Sequence, residues 1–430
     1  MLSAFTQAFR TPDLRAKLLF TLGIMALFRL GSILPAPGVN LANAKQCIAA
    51  AEDQNLLSLV NVFSGGALLQ LSVFALGIMP YITASIIIQL LRVVIPRFEE
   101  LHKEGQAGTA KLTEYTRYLT IGLGLLQSST IVATARSGKL FPTCDKPVLP
   151  DGSVITLLLI IITMTAGTGL IMWLGELITE RGIGNGMSLL IFTSIVAQFP
   201  SNMFSIAGGN NGAANFAIIV AVVLVATLAV VYIEQAQRRI PVQYAKRMIG
   251  RRQYGGSTTY IPVKINTAGV IPVIFASSIL AMPQLVAGFG DQTSKWVQWI
   301  MTNLQQTHPI YLTAYGVLIL FFAFFYTAIT FDSEEIADNM KRYGGFIPGI
   351  RAGEPTVRYL SYVINRITTA GSIYLVVLAL IPTLAVIWLD LAQHLPFGGT
   401  TILIMVGVGL QTVKEVNSQL QQRHYEGFLS

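Results

Sequence analysis

The sequence predicts an all-α membrane protein with ten transmembrane helices, and three observations support this fold class. Apolar residues make up 53% of the 430 positions and charged residues only 12%, so there is too little polar surface to cover a water-soluble domain. Ten apolar runs reach the length of about 20 residues that a span requires. Lys and Arg gather in alternate loops between these runs. We therefore expect a polytopic protein without a large soluble domain.

The predicted spans follow one another with short connections. In chain order they cover residues 18–34, 72–95, 114–135, 153–174, 185–204, 214–236, 266–287, 310–331, 366–389 and 399–420. No small-residue cleavage site follows the first run, which we interpret as an uncleaved span. With the N-terminus inside, 23 of the 29 Lys and Arg lie in cytoplasmic segments. This asymmetry predicts that both termini are cytoplasmic.

The ten spans divide into two sets of five near residue 205. Because five is an odd number, the second half, 206–430, enters the membrane from the side opposite to the first half, 1–205. We therefore expect an inverted repeat, with the working pathway at the interface of the two halves.

A short apolar segment at about residues 56–71 is broken by Gly65 and Gly66 and cannot cross a bilayer. We interpret it as a re-entrant half-helix, because irregular backbone at membrane depth has to be buried in protein or line a water-filled cavity. An interfacial helix lying flat on the bilayer is the alternative.

Several kinds of chemistry have no matching motif. The glycines of ERGIGNGMS have the wrong spacing for a dinucleotide loop and predict a tight hairpin between two spans. No hydrolase motif occurs, and the four His residues are scattered, so we expect neither a metal site nor a cofactor. Cys47 and Cys144 both fall in outer loops. A disulfide would fit this placement, but we interpret them as two unrelated free thiols.

A secondary transporter would also fit ten spans and inverted halves, but it would need acidic residues within the spans. The acids closest to spans lie at the span ends: Glu176, Glu234, Asp332 and Asp390. Charges inside predicted spans are Arg29, Lys414 and Glu415, each near an end. Polarity at mid-membrane comes from uncharged residues such as Thr83 and Gln127, whose ordinary role is helix packing.

The stretch 238–264 carries seven Lys and Arg and no acid between two apolar runs. Such a cluster is stable only when it is solvated or meets an anionic surface. Ribosomal RNA, an acidic protein face and anionic lipid are the candidate partners. The alternative is that these charges only enforce topology.

Five motifs closely resemble the SecY family, the central subunits of the bacterial protein-translocation channel, and the resemblance extends from about residue 5 to 425. They are LGIMPYITASIIIQLL at 76–91, ERGIGNGMSLLIF at 180–192, YAKRMIGRR at 244–252, NTAGVIPVIFASSI at 266–279 and GGFIPGIRAGEPT at 344–356.

The resemblance implies an hourglass pore closed at mid-membrane by a ring of apolar side chains. The matching positions are Ile78, Ile82, Met187, Ile191, Ile274 and Ile404. A narrow apolar constriction expels water and so blocks ions. Met187 departs from the usual Ile, and its flexible side chain should still complete the ring. Taken singly, each of these residues would be interpreted as core or lipid-facing packing.

The resemblance also implies a plug under the ring. It further implies a lateral gate, in which spans two and three face spans seven and eight. The plug positions are Asn61, Phe63, Ser64, Gly65 and Gly66. The candidate polar contacts across the gate are Thr83, Gln127 and Ser278.

Two loops, 238–264 and 332–358, match the family's docking surface for the ribosome and the motor ATPase SecA. The candidate docking residues are Lys246, Arg247, Arg251, Arg252 and Arg351. The sequence AGEPT stands where many relatives have a proline after the arginine, which we expect to loosen the turn at Ala352.

The resemblance thus implies a passive channel in the bacterial plasma membrane, without a cofactor and without enzymatic activity of its own. Its implied partners are SecE, SecG, SecA, the ribosome, signal peptides, nascent chains and membrane lipids. A small-solute transporter coupled to an ion remains the alternative. A membrane insertion factor without a pore is a third class, which would lack both plug and ring.

Overall fold

The computed structural model describes residues 9–50, 64–138, 144, 148–150, 152–207, 212–244, 247–249, 252–254, 258–289, 294–305, 308–388 and 399–426. Most of these residues are helical, which confirms the predicted fold class. In the first half the helices are α1 (Pro12–Ile33), α2 (Leu41–Ala50), α3 (Met79–Val94), α4 (Pro96–Lys103), α5 (Gln106–Arg136), α6 (Val154–Arg181) and α7 (Gly186–Ala207).

The second half adds helices and a small amount of β-structure. Its elements are α8 (Gly212–Gln235), β1 (Gln237–Tyr244), β2 (Arg247–Ile249), β3 (Arg252–Tyr254), β4 (Thr258–Lys264), α9 (Ile271–Phe289), α10 (Lys295–Asn303), α11 (Pro309–Thr330), α12 (Ser333–Arg342), β5 (Gly345–Phe346), α13 (Glu354–Trp388) and α14 (Gly399–Glu426).

Each of the ten predicted spans corresponds to one helix, namely α1, α3, α5, α6, α7, α8, α9, α11, α13 and α14. Among the described residues, six helices are long and apolar enough to cross a membrane. The pair α3 and α4, bent by 100° at its break, makes a seventh. Apolar stretches at Gly186–Pro200 and Ile271–Gln284 are shorter. This is consistent with ten spans, while the number itself stays a prediction.

Helix α3 begins seven residues later than the predicted start of the second span at 72. Residues 73–78 form turns, Gly77 has a left-handed φ of 56°, and Pro80 occupies the first turn of the helix. Proline suits this position because it lacks the N–H that a later helical position would have to donate. The motif LGIMPY therefore marks a helix start, which the apolar run had concealed.

Many hydroxyl groups inside the helices donate to their own backbone. Thr116 Oγ1 donates to the Leu112 carbonyl oxygen at 2.9 Å, and Thr120 Oγ1 donates to the Thr116 carbonyl oxygen at 2.7 Å. Such bonds to the preceding turn let a polar side chain lie in an apolar surrounding at low cost. The predicted tight hairpin between α6 and α7 is present, and Gly184 has a left-handed φ of 79° there.

The two halves meet along two seams. On one side α9 packs against α3 and α5, and on the other side α8 and α14 pack against α7. A single large apolar core runs through the junction and includes residues from both halves. The placement of the half boundary near residue 205 and the inverted relation of the halves stay predictions.

The loops 238–264 and 332–358 contain strands that the sequence analysis did not predict. Strand β1 lies between β4 and β5, and it pairs with both in antiparallel orientation, while β2 pairs with β3. Ile240, Val242 and Val263 are buried on these strands, whereas the basic residues Arg238 and Arg239 are exposed. Buried and exposed positions alternate at the centre of β1, as in a sheet with one buried face. The dense charge of this loop had hidden the pattern in the sequence.

A second apolar core joins these two loops into one unit, which we call the docking unit (residues 237–264 and 333–364). Its buried members are Ile240, Val242, Val263, Met340, Ile347, Leu360, Val363 and Ile364. Helix α13 begins twelve residues before the predicted ninth span, and this extension supplies the last three of them. The loops are therefore mounted on a continuation of a predicted span.

The interpretation of Cys47 and Cys144 as free thiols is wrong, because the two residues form a disulfide across 97 positions of sequence. Cys47 lies on α2 and is fully buried. Nearby, the amide of Asn40 donates to the Val148 carbonyl oxygen at 3.1 Å, so the two loops also share a backbone hydrogen bond. The second cysteine lies far along the chain, and for that reason spacing alone did not reveal the pair.

Candidate functional site

The six predicted ring residues come from four helices, and all of them belong to or pack against the main core. Ile78 and Ile82 lie at the start of α3, Met187 and Ile191 on α7, Ile274 on α9 and Ile404 on α14. Ile78, Ile82, Ile191 and Ile404 are buried members of that core, and Met187 and Ile274 pack against it. The main core contains residues of both halves, so the burial of these side chains is compatible with an apolar constriction but does not by itself assign one.

The unusual ring member, Met187, fits against a glycine of the neighbouring helix. A Cβ atom placed on Gly175 of α6 would lie 2.4 Å from the Met187 sulfur, so a larger residue there would force this flexible side chain to shift. Gly186 likewise approaches the Gly175 carbonyl oxygen too closely for any larger residue. The α6–α7 contact therefore positions the start of α7, where two of the ring residues lie.

The predicted plug is described only in part. Asn61 and Phe63 lie outside the described residues, and residues 64–71, which we call the plug segment, form turns rather than a half-helix. Ser64 is buried, and Gly65 and Gly66 have left-handed φ angles of 70° and 86°. Two consecutive left-handed residues end a helix, which explains why the described part does not continue one.

The plug segment packs against α1 and α7. The Arg29 guanidinium on α1 donates to the Gly65 carbonyl oxygen at 2.7 Å. A Cβ atom on Gly65 would lie 3.3 Å from Ser194 Cα on α7, and one on Gly66 would lie 3.0 Å from Gln198 Nε2. Arg29 lies in a predicted span, and its contact with the plug segment could not be predicted because the two residues are 36 positions apart in sequence.

The predicted gate residues lie on α3, α5 and α9, which pack together in this structure. Thr83 and Ser278 are buried and Gln127 is half-buried. The buried Ser278 hydroxyl has no hydrogen-bond partner among the described residues. By contrast, α5 is joined to α6 by the Ser128 and Thr165 hydroxyls, 3.1 Å apart. An unpaired buried hydroxyl weakens a contact. Among the described residues, Ser278 therefore adds no polar bond to the contact of α9 with α3 and α5, whereas Ser128 adds one to the α5–α6 contact.

The predicted docking residue Arg351 lies on a turn of the docking unit. Its side chain is exposed, and its carbonyl oxygen accepts a hydrogen bond from Thr356 Oγ1 at 2.8 Å. Left-handed glycines at 349 and 353 flank it, with φ angles of 83° and 106°. The turn at Ala352 is therefore held by a side-chain bond, although no proline follows the arginine.

Of the other predicted docking residues, two are described, and they lie on a short hairpin. Arg247 and Arg252 lie on strands β2 and β3, in which Arg247 pairs with Tyr254 and Arg252 with Ile249. Lys246 and Arg251 lie outside the described residues. Strand β5 joins the end of β1 through pairs such as Gln243 with Phe346, which places the Arg351 loop on the same unit as this hairpin. Within the described part of the chain, no cluster of three His, Cys, Asp or Glu could hold a metal ion.

The fold defines a class of protein: a mostly helical membrane protein with several spans. The sequence model of the SecY family matches residues 72–413. The chain therefore belongs to the SecY family.

Curated relatives align with this chain over its whole length. It is 62% identical to the protein translocase subunit SecY of Streptomyces galbus and 56% identical to that of Mycobacterium tuberculosis, and each alignment covers 100% of both chains. Solved structures share the fold at low identity. One described as a protein conducting channel has a TM-score of 0.63 and 20% identity, covering 94% of this chain and 91% of its own.

A further structural match is Sec61 in the canine ribosome-channel complex from the endoplasmic reticulum. It has a TM-score of 0.61 and 18% identity, and the alignment covers 94% of this chain and 91% of that chain.

Proposed function

We propose that this protein is a channel that conducts unfolded secretory polypeptides across the bacterial plasma membrane and releases transmembrane segments sideways into the lipid. The observation that supports the proposal is that the six proposed ring residues, which come from both halves, all belong to or pack against one apolar core. Family membership and the translocase subunits at 56–62% identity support it. The transporter alternative gains no support from any of these relatives.

The plug segment and the seam between the halves complete the channel. We infer that Asn61, Phe63, Ser64, Gly65 and Gly66 belong to a plug that blocks the outer side of the ring. The seam of α3 and α5 with α9 and α11 is the lateral gate, with Thr83, Gln127 and Ser278 as its polar contacts. Signal peptides open this gate because the burial of their apolar side chains is favourable, by about 25 cal/mol for each Å² of apolar surface removed from water. In this structure α9 packs against α3 and α5, and we propose that this contact is broken when the gate opens.

The docking unit is the proposed binding surface for SecA and the ribosome, which supply the energy because the channel itself is passive. Lys246, Arg247, Arg251, Arg252 and Arg351 would contact motor carboxylates or RNA phosphates. One structural relative is Sec61 in the canine ribosome-channel complex, which supports the ribosome as a partner. We further propose that both termini are cytoplasmic and that SecE and SecG bind this chain, together with membrane lipids.

Crosslinking of a stalled secretory chain tests the proposed function. Single cysteines replace Ile82, Ile191, Ile274 and Ile404, and the native disulfide is left intact because it offers no free thiol. We expect the stalled chain to crosslink at all four positions. Ile162→Cys is the control, because this residue lies on α6 and its side chain is exposed. A stalled chain that is engaged but crosslinks at none of the four would refute the ring assignment.

Replacing Gln127 by Leu should favour the closed gate. Gln127 is a half-buried polar side chain on α5, and an apolar side chain of similar size would improve packing in an apolar seam by about 1 kcal/mol. We expect export of a reporter with a weak signal peptide to fall several-fold, while a strong signal peptide still opens the channel. Export kinetics in cells measure both reporters. Unchanged export of the weak-signal reporter would contradict the assignment of Gln127 to the gate.

A further inference from the structure

Arg29 makes a contact that topology and helix packing do not explain. It lies near the end of α1, a predicted span, and its side chain is half-buried. Its Nη1 donates to the Gly65 carbonyl oxygen at 2.7 Å. A charged side chain in a span is costly and is retained where it meets a polar partner or serves a function. The partner here is a backbone carbonyl of the plug segment.

The receiving carbonyl belongs to backbone that needs partners from elsewhere. Residues 64–70 form turns, so they lack the regular hydrogen-bond ladder of a helix. Gly65 is buried between α1 and α7, and a Cβ atom placed on it would lie 3.4 Å from Arg29 Nη1 and 3.3 Å from Ser194 Cα. The guanidinium therefore meets a carbonyl that is fixed in place between two helices.

The two ends of the plug segment are held in different ways. At its far end, the Ala36 amide donates to the Leu71 carbonyl oxygen at 3.0 Å, and the Val73 amide donates to the Leu34 carbonyl oxygen at 2.9 Å. Just beyond, Phe74 stacks on Phe28 of α1 with ring centroids 5.9 Å apart. Backbone bonds and ring packing thus fix residues 71–74, whereas the described near end is bound to α1 by one side chain.

We propose that Arg29 is a positioning residue that latches the plug segment in the closed channel. The inference rests on the proposed function, because it requires that the plug block the pore. Opening breaks the bond to Gly65, and the guanidinium is then hydrated by the water that fills the outer cavity. The latch is therefore reversible, since a lost charge-assisted bond is replaced by hydration. The segment moves at residues 64–66 while residues 71–74 remain attached.

Ion leak through the resting channel tests the latch. The full chain is reconstituted into liposomes without a substrate, and chloride efflux is measured for the wild type, Arg29→Gln and Arg29→Lys. A hydrogen bond to a charged group shifts an equilibrium by about tenfold or more. We expect Arg29→Gln to leak about tenfold faster than the wild type and Arg29→Lys to leak less than Arg29→Gln, because lysine can still donate to the carbonyl.

Matched variants separate the latch from a general loss of structure. Arg15→Gln makes the same change on an exposed position of the same helix and should leave the leak unchanged. Gly65→Ala keeps the charge but strains a left-handed position, so it should raise the leak as Arg29→Gln does. If Arg29→Gln does not fold, Gly65→Ala provides the test. A wild-type leak in Arg29→Gln and in Gly65→Ala would overturn the latch.

The stalled-chain experiment keeps this result distinct from the proposed function. Crosslinks at the four ring positions together with a wild-type leak in both Arg29→Gln and Gly65→Ala would overturn the latch and leave the channel standing. Missing crosslinks in the single-cysteine variants that retain Arg29 would refute the channel, and with it the premise of the latch.

Discussion

Replacing Ile191 by Asn should open the resting channel to ions. Ile191 is buried in the core that holds the proposed ring. An apolar side chain of this size contributes about 2 kcal/mol when it is fully buried, and a polar amide in its place stabilises water in the constriction. Because about 1.4 kcal/mol corresponds to a tenfold change in an equilibrium, we expect at least about tenfold faster chloride efflux from proteoliposomes.

The matched control lies one helical turn away. Ile195 is on the same helix, α7, and is also fully buried in the core, but it is not assigned to the ring. Ile195→Asn should lower the thermal stability about as much as Ile191→Asn does, while its ion efflux stays close to that of the wild type. Equal efflux from the two variants would mean that loss of packing, and not wetting of the ring, causes the leak.

Replacing Arg351 by Glu should weaken docking of the ribosome by about tenfold or more, because charged hydrogen bonds contribute about 1.5–3 kcal/mol each. The side chain is exposed on a turn fixed by two left-handed glycines and by the Thr356 hydroxyl. Co-sedimentation of ribosomes with proteoliposomes measures this binding. Increasing salt should weaken binding of the wild type steeply, and the variant should show a shallower salt dependence.

Arg342→Glu is the control for this charge reversal. Arg342 is exposed at the end of α12 and belongs to the same docking unit, but it is not among the proposed docking residues. The Arg342→Glu variant should bind ribosomes nearly as well as the wild type at moderate salt. If both reversals weaken docking equally, the docking unit acts through its total charge, and Arg351 has no special position in it.

Much of the fold follows from the sequence because the bilayer restricts the choices of the chain. Each predicted span contains most of one observed helix, since apolar runs of this length must satisfy their backbone internally. The four helices that supply the ring could be assigned only through the family motifs. Ile404 or Ile191 by itself has the burial expected of any core residue.

The features that the sequence analysis missed depend on contacts between distant residues. Strand β5 is only two residues long and joins the hairpin through pairing across about 100 positions. The disulfide and the bond of Arg29 to Gly65 are of the same kind. A signal for the hairpin was nevertheless present, because Ile240 and Val242 lie two positions apart, as Ile261 and Val263 do on the partner strand, and polar residues flank both pairs.

The disulfide between Cys47 and Cys144 closes a covalent ring of main chain that contains the plug segment, α3 and α5. Helices α3 and α5 form one wall of the proposed gate. A passing segment that parts α5 from α9 would therefore act on a wall whose two helices belong, together with the plug segment, to one covalently closed circuit of chain.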